Sequence, residues 1–141
     1  MSKKSPKIAA LLASVPPDPR HPIHYTGYFA CFNAGLYYEA HDVLEEMWLP
    51  VRRSEGGNFF KGLIQLAGAF VHLQKGRLRP AGKLFALAEA NLALYPDVHL
   101  DFDAAAARRL CREWSGALMA SGYGRNPLAP ETAPRLELIA A

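Results

Sequence analysis

His41 and Glu45 stand one helical turn apart in residues 37–48, and Trp48 follows three positions later. At about 100° per residue, such an i,i+4 pair lies on one side of a helix. A histidine ordered by a carboxylate can move protons near neutral pH, because the carboxylate fixes the imidazole tautomer and supports its charged form. The same pair can equally be one link of a buried, satisfied hydrogen-bond network. A second polar set, Gln65 and His72, is spaced seven apart in an otherwise apolar segment and so lines up along one helix stripe. Tyr37 and Trp48 are expected to flank His41 at the apolar border, with Arg52 on the Glu45 side; Glu39, Asp42 and Glu46 are expected to point to solvent.

Three readings of His41, Glu45, Trp48, Gln65 and His72 follow. In the first, Glu45 orients His41, Gln65 satisfies a partner, and the network fixes helix register. In the second, the residues form a ligand or acid–base pocket. The third, a metal site from His41, Glu45 and His72, has no evident fourth ligand, and no metal ligand is assigned. No serine or cysteine has the context of an activated nucleophile, no glycine-rich phosphate loop follows a strand, and no cofactor is implied.

The elements that must carry these side chains read as helices. Apolar residues recur with helical period, and no stretch shows sustained strand-like alternation between hairpin turns. A short first helix spans 5–14, closed by Pro16, Pro17 and Pro19, and 18–24 is a loop. A second covers 26–33, with Thr26 as N-cap and Gly35 as the stop. The third runs over 36–53 on an apolar face of Leu36, Ala40, Val43, Leu44, Met47 and Val51, with Pro50 ending or kinking it near Leu49. The fourth, 58–75, is apolar around most of its circumference, hence central, and Gly76 caps it. Gly62 and Ala69, small residues beside its polar stripe, allow another helix to approach. A fifth runs from Pro80 to Tyr95, and a sixth, capped by Asp101 or Asp103, ends near Ser121 and Gly122. The tail 122–141 holds Pro127, Pro130 and Pro134, leaving only 135–139 for a last turn. The expectation is all-α: a compact bundle of about five to six helices with short connections and mostly antiparallel neighbours.

At 141 residues, 50% hydrophobic and 21% charged, the chain reads as a single folded domain over 1–141. The net charge of +3 is a mild excess, below that of a dedicated nucleic-acid binder. Cys31 and Cys111 lack metal-ligand spacing and read as free, buried thiols of a reducing compartment. Lys3, Lys4 and Lys7 before residues 8–15 faintly resemble a secretory signal, but prolines stand where a small-residue cleavage site is needed. The apolar run 62–73 is too short to span a bilayer, so no membrane partner is expected and the cytoplasm is the default.

Two segments, FNAGLYYEAHDVLEEMW at 32–48 and KGLIQLAGAFVHLQKG at 61–76, together resemble family 309 of the domain-of-unknown-function series, small all-helical prokaryotic proteins. The resemblance covers roughly residues 28–95. It departs from the family pattern at Asp42, where Glu tends to follow the histidine, and at Lys75-Gly76-Arg77, which lacks a Gly-Asn pair. The resemblance implies an all-helical fold and marks His41, Glu45, Trp48, Gln65 and His72 as the family-type polar positions. It implies no reaction.

Lys75, Arg77, Arg79 and Lys83 cluster about the turn between the fourth and fifth helices, as a phosphate or RNA contact or as a solvated turn, and Arg108, Arg109 and Arg112 can extend the patch. Tyr25, Tyr28, Phe29 and Phe32 read as core; exposed together, they would mark a dimer interface. The leading function is a small cytosolic binding or structural domain, self-associating, with a polar pocket around His41. The alternative is a hydrolase or other acid–base enzyme with His41 as base and Glu45 as its orienter; a third reading is a nucleic-acid accessory protein.

Overall fold

Glycine and proline set the helix ends. In the computed structural model, which describes residues 5–140, the elements in chain order are α1 (Ser5–Leu12), α2 (Ile23–Asn33), α3 (Tyr37–Trp48), a 3-10 turn (Leu49–Val51), α4 (Gly57–Gln74), α5 (Leu78–Leu92), β1 (Val98–His99), β2 (Phe102–Asp103) and α6 (Ala104–Ala120). Lys3 and Lys4 lie outside the described residues. At the end of α2, Gly35 takes a left-handed φ of 76°, which lets its N–H reach Phe32 O at 3.0 Å and the Leu36 N–H reach Cys31 O at 2.9 Å. Gly76 repeats the device after α4, with φ 70° and the Arg77 N–H on His72 O at 2.9 Å. Pro50 ends α3, and the chain tightens into the 3-10 turn as expected near Leu49. Asp103 caps α6 by accepting from the Ala106 N–H at 2.9 Å.

Three local expectations are corrected. Helix α2 starts at Ile23 behind Pro22, so Thr26 is an interior residue whose hydroxyl donates to Ile23 O rather than an N-cap. A two-stranded antiparallel hairpin, Val98 opposite Asp103, precedes α6. Its turn residues Leu100 and Asp101 both have positive φ, 48° and 60°, as a type I′ turn demands; neither is glycine or asparagine, so the usual sequence signal was missing. The turn is held from outside: the Tyr25 hydroxyl donates to Leu100 O, and the Ile139 N–H donates to Asp101 O. The tail adds no helical turn. Asn33 pairs both backbone groups of Leu136 at 2.8 Å, and Leu138 bridges Phe102, so the chain runs extended over α2.

Cross-contacts fix the helix directions. His24 meets Glu46 while Phe32 meets Tyr37, so α2 and α3 run antiparallel. Gly35 meets Gln74 while Trp48 meets Gly57, which makes α3 antiparallel to α4. Gly62 lies against Leu92 and Gly68 against Leu84, and Arg112 meets Glu89 while Leu118 lies near Gly82; α4, α5 and α6 therefore alternate in direction. The result is the expected all-α bundle of antiparallel neighbours, with α4 packed between α3 and α5.

The core is aromatic. Tyr25, Tyr28, Phe29 and Phe32 are all buried, which removes them as an exposed dimer face. Phe70 stacks on Tyr37 and meets Phe32, Phe85 and Trp114 edge-on. The buried Tyr28 hydroxyl donates to Leu63 O at 2.6 Å and pins α2 to α4. Cys31 and Cys111 are free and buried. Among the described residues no helix is long and apolar enough to cross a membrane.

Candidate functional site

A pocket of about 210 Å³ opens between α3, α4 and α5, lined by Tyr38, His41, Ile64, Gln65, Gly68, Val71, His72 and Leu84. Its lining follows from helical spacing: residues 38 and 41 project from one side of α3, and 64, 65, 68, 71 and 72 form one stripe of α4. Gly68 keeps it open, since a Cβ there would stand 3.1 Å from Leu84 Cδ1. Of the five residues singled out from sequence, His41, Gln65 and His72 meet here; Glu45 and Trp48 do not line the pocket. The Trp48 indole instead donates to Gly57 O at 3.0 Å and ties the end of α3 to the start of α4. Tyr37, expected beside His41, is in the core, and Tyr38 takes its place with its ring near parallel to the imidazole. The i,i+3 spacing of Tyr38 and His41 was the signal for it.

At the α3 end, His41 Nδ1 lies 3.2 Å from Asp42 Oδ1, whereas Nε2 is 3.9 Å from Glu45 Oε2, too long for a hydrogen bond. The carboxylate that orients His41 is therefore Asp42, not Glu45. Asp42 is only 7% exposed, against the expectation that it faces water. Helix α1 packs against α3; Ser5 donates to Glu46, one turn on from Asp42, at 2.9 Å, and His24 Nε2 lies 3.0 Å from the same carboxylate. Helical period alone gives no account of a neighbour from the far N-terminus.

His41, Asp42 and Glu45 each offer one ligand atom within 4.8 Å of the others, a donor set a divalent cation can use. His72, part of the metal set considered from sequence, is not in this group, and the two ring nitrogens of His41 face different carboxylates.

The α4 end is different. His72 Nδ1 is buried with no hydrogen-bond partner. Burial holds this imidazole below its ordinary protonation range, and the nearby Arg77 and Lys75 cations push it further the same way. Lys75 Nζ also lies 5.8 Å from the Tyr38 ring centroid, at the pocket wall. Between the two ends, Asn91 of α5 donates to Gln65 Oε1 at 2.7 Å. Sequence reading passed over Asn91; its place one turn from the buried Ala88 was the available hint.

The four residues of the basic cluster, Lys75, Arg77, Arg79 and Lys83, are all exposed, and Lys75 and Arg79 sit over the rings of Tyr38 and Tyr123. Arg108 and Arg112 do not extend it; they pair with Asp97 at 2.7 Å and Glu89 at 2.9 Å.

Fold and pocket together define an all-α domain of antiparallel helices with a small, mostly apolar pocket on its central helix. Residues 25–84 match the family described as Domain of unknown function (DUF309). The match contains every residue that lines the pocket. No curated protein and no solved structure matches the chain significantly.

Proposed function

We propose that this protein is a binding domain for a small molecule, seated in the pocket between α3, α4 and α5. The observation that carries the reading is the convergence of His41, Gln65 and His72 from two helices on one mostly apolar pocket. Small-molecule sites have this make-up: an apolar wall with a few placed polar groups. The two free, buried thiols fit a reducing compartment such as the cytoplasm. Titration with hexan-1-ol, followed by amide NMR, is expected to move the signals of Gly68, Val71, His72 and Leu84, and Gly68→Leu is expected to abolish those shifts by filling the space. Shifts that persist in Gly68→Leu would place the guest elsewhere and end this reading.

A second reading, acid–base chemistry at His41, is favoured by the buried Asp42 carboxylate at Nδ1, which can hold the imidazole as the base. It expects ester hydrolysis by the purified protein that falls roughly a hundredfold or more in His41→Gln. Equal turnover in the variant removes it.

A further inference from the structure

The polar groups of the pocket differ in kind from one end to the other, and among the described residues no acidic side chain lines it at the His72 end. Lys75 and Arg77 stand near enough to His72 to oppose its protonation, and neither has an acidic partner among the described residues. Asp42 and Glu45 belong to the His41 end and do not line the pocket. His72 lines the pocket, and its neutral ring carries one N–H, for which a carboxylate oxygen is a strong acceptor. The C-terminus of α4 carries a partial negative charge, about half an elementary charge, that disfavours an anion here. The carbonyls of Val71, His72 and Leu73 are already taken by the Lys75, Gly76 and Arg77 N–H groups, and two full cations outweigh the remainder.

Beyond the His72 end the wall is hydrocarbon. Ile64, Gly68 and Val71 follow one another along α4, and Leu84 covers them from α5. Gln65 lies two turns from His72, about 10 Å along the axis, too far to share a head group with it. Its carbonyl is occupied by Asn91, which leaves its amide as a second donor at the far end.

We propose that the pocket takes a small carboxylate with an unbranched apolar body, its head group on His72 beside Lys75 and Arg77 and its chain along Ile64, Gly68 and Val71 towards Gln65. This deepens the binding reading and rests on it. The chemistry is that of a short fatty acid, and the head group, rather than the apolar area, decides the preference.

The probes are hexanoate, hexan-1-ol and hexylamine, which share a body and differ in charge, titrated into the full chain at pH 7.5 and low salt with amide NMR readout. Hexanoate is expected to bind roughly tenfold tighter than hexan-1-ol, with its largest shifts at Val71 and His72, and hexylamine more weakly than either. His72→Phe is expected to retain hexan-1-ol and lose most of the preference for hexanoate. Because that residue is partly buried, a second variant, Lys75→Ala with Arg77→Ala, alters only exposed cations; the preference is expected to fall several-fold there, and to fall with added salt in the unaltered chain. If hexan-1-ol binds in the pocket as tightly as hexanoate, or hexylamine is preferred, the carboxylate proposal is overturned while the pocket stands. If none of the three shifts a pocket residue, both fall.

Discussion

Two histidines share one pocket in opposite company. His41 has a buried carboxylate 3.2 Å from Nδ1 and a second carboxylate 3.9 Å from Nε2, and it stands on a helix covered by α1. His72 has two cations nearby, a buried nitrogen with no partner, and a place in the last turn of α4. The residue type is the same; what differs is which neighbours the bundle brings. At the α3 end the imidazole stands beside two carboxylates of its own helix. At the α4 end its buried ring nitrogen has no hydrogen-bond partner. A pocket built this way is polarised along its length.

The largest expected effect breaks the His41 end. Asp42→Ala removes a nearly buried carboxylate from its histidine and leaves a small void, and it is expected to destabilise the fold by about 2 kcal/mol. The urea midpoint at constant m-value measures it. At the other end, His72→Leu removes an unpaired buried nitrogen in favour of hydrocarbon, and it is expected to be neutral or to stabilise by up to about 1 kcal/mol, at the expense of ligand preference. Two equal losses would mean that both histidines are structural, and the contrast between the ends would collapse.

How much of this was legible in the sequence depends on how local each cause is. The six helices, the Gly35 and Gly76 stops and the break at Pro50 follow from period and backbone chemistry within a few residues, and they form as read. The antiparallel order follows from short connections. Half of the site followed as well: the seven-residue spacing of Gln65 and His72 does put both on the pocket wall. What failed was set by distant chain. Asn91 matters because α5 lies against Gln65, and the Leu100–Asp101 turn exists because Tyr25 and Ile139 hold it. Glu45 illustrates the limit of spacing: an i,i+4 pair shares a helix face, yet its side chains need not reach hydrogen-bond distance, and here the adjacent Asp42 does.

The smallest effect sharpens the His72 end and concerns pH. Burial first, then Arg77 and Lys75, hold this imidazole below its ordinary value of 6.5 in the folded chain. The unfolded chain therefore takes up a proton at this position before the folded one does. Well above 6.5 neither state is protonated and the position contributes no pH dependence. As pH falls through 6.5 the unfolded state gains the proton, stability is lost, and the loss levels off once the folded ring is protonated too. The part of the ring that meets solvent keeps the effect modest. Comparing urea midpoints at pH 7.5 and 5.5 should show a smaller drop in His72→Leu than in the unaltered chain. Direct titration of the ring by NMR should place it lower than in Lys75→Ala with Arg77→Ala, since removing the cations relieves the opposition to protonation. A bound anion acts in the opposite sense to those cations, so saturating hexanoate should raise the His72 titration while hexan-1-ol should not. A ring that titrates at or above 6.5 in the free protein would leave the α4 end with no cationic character to set against the carboxylates of the α3 end.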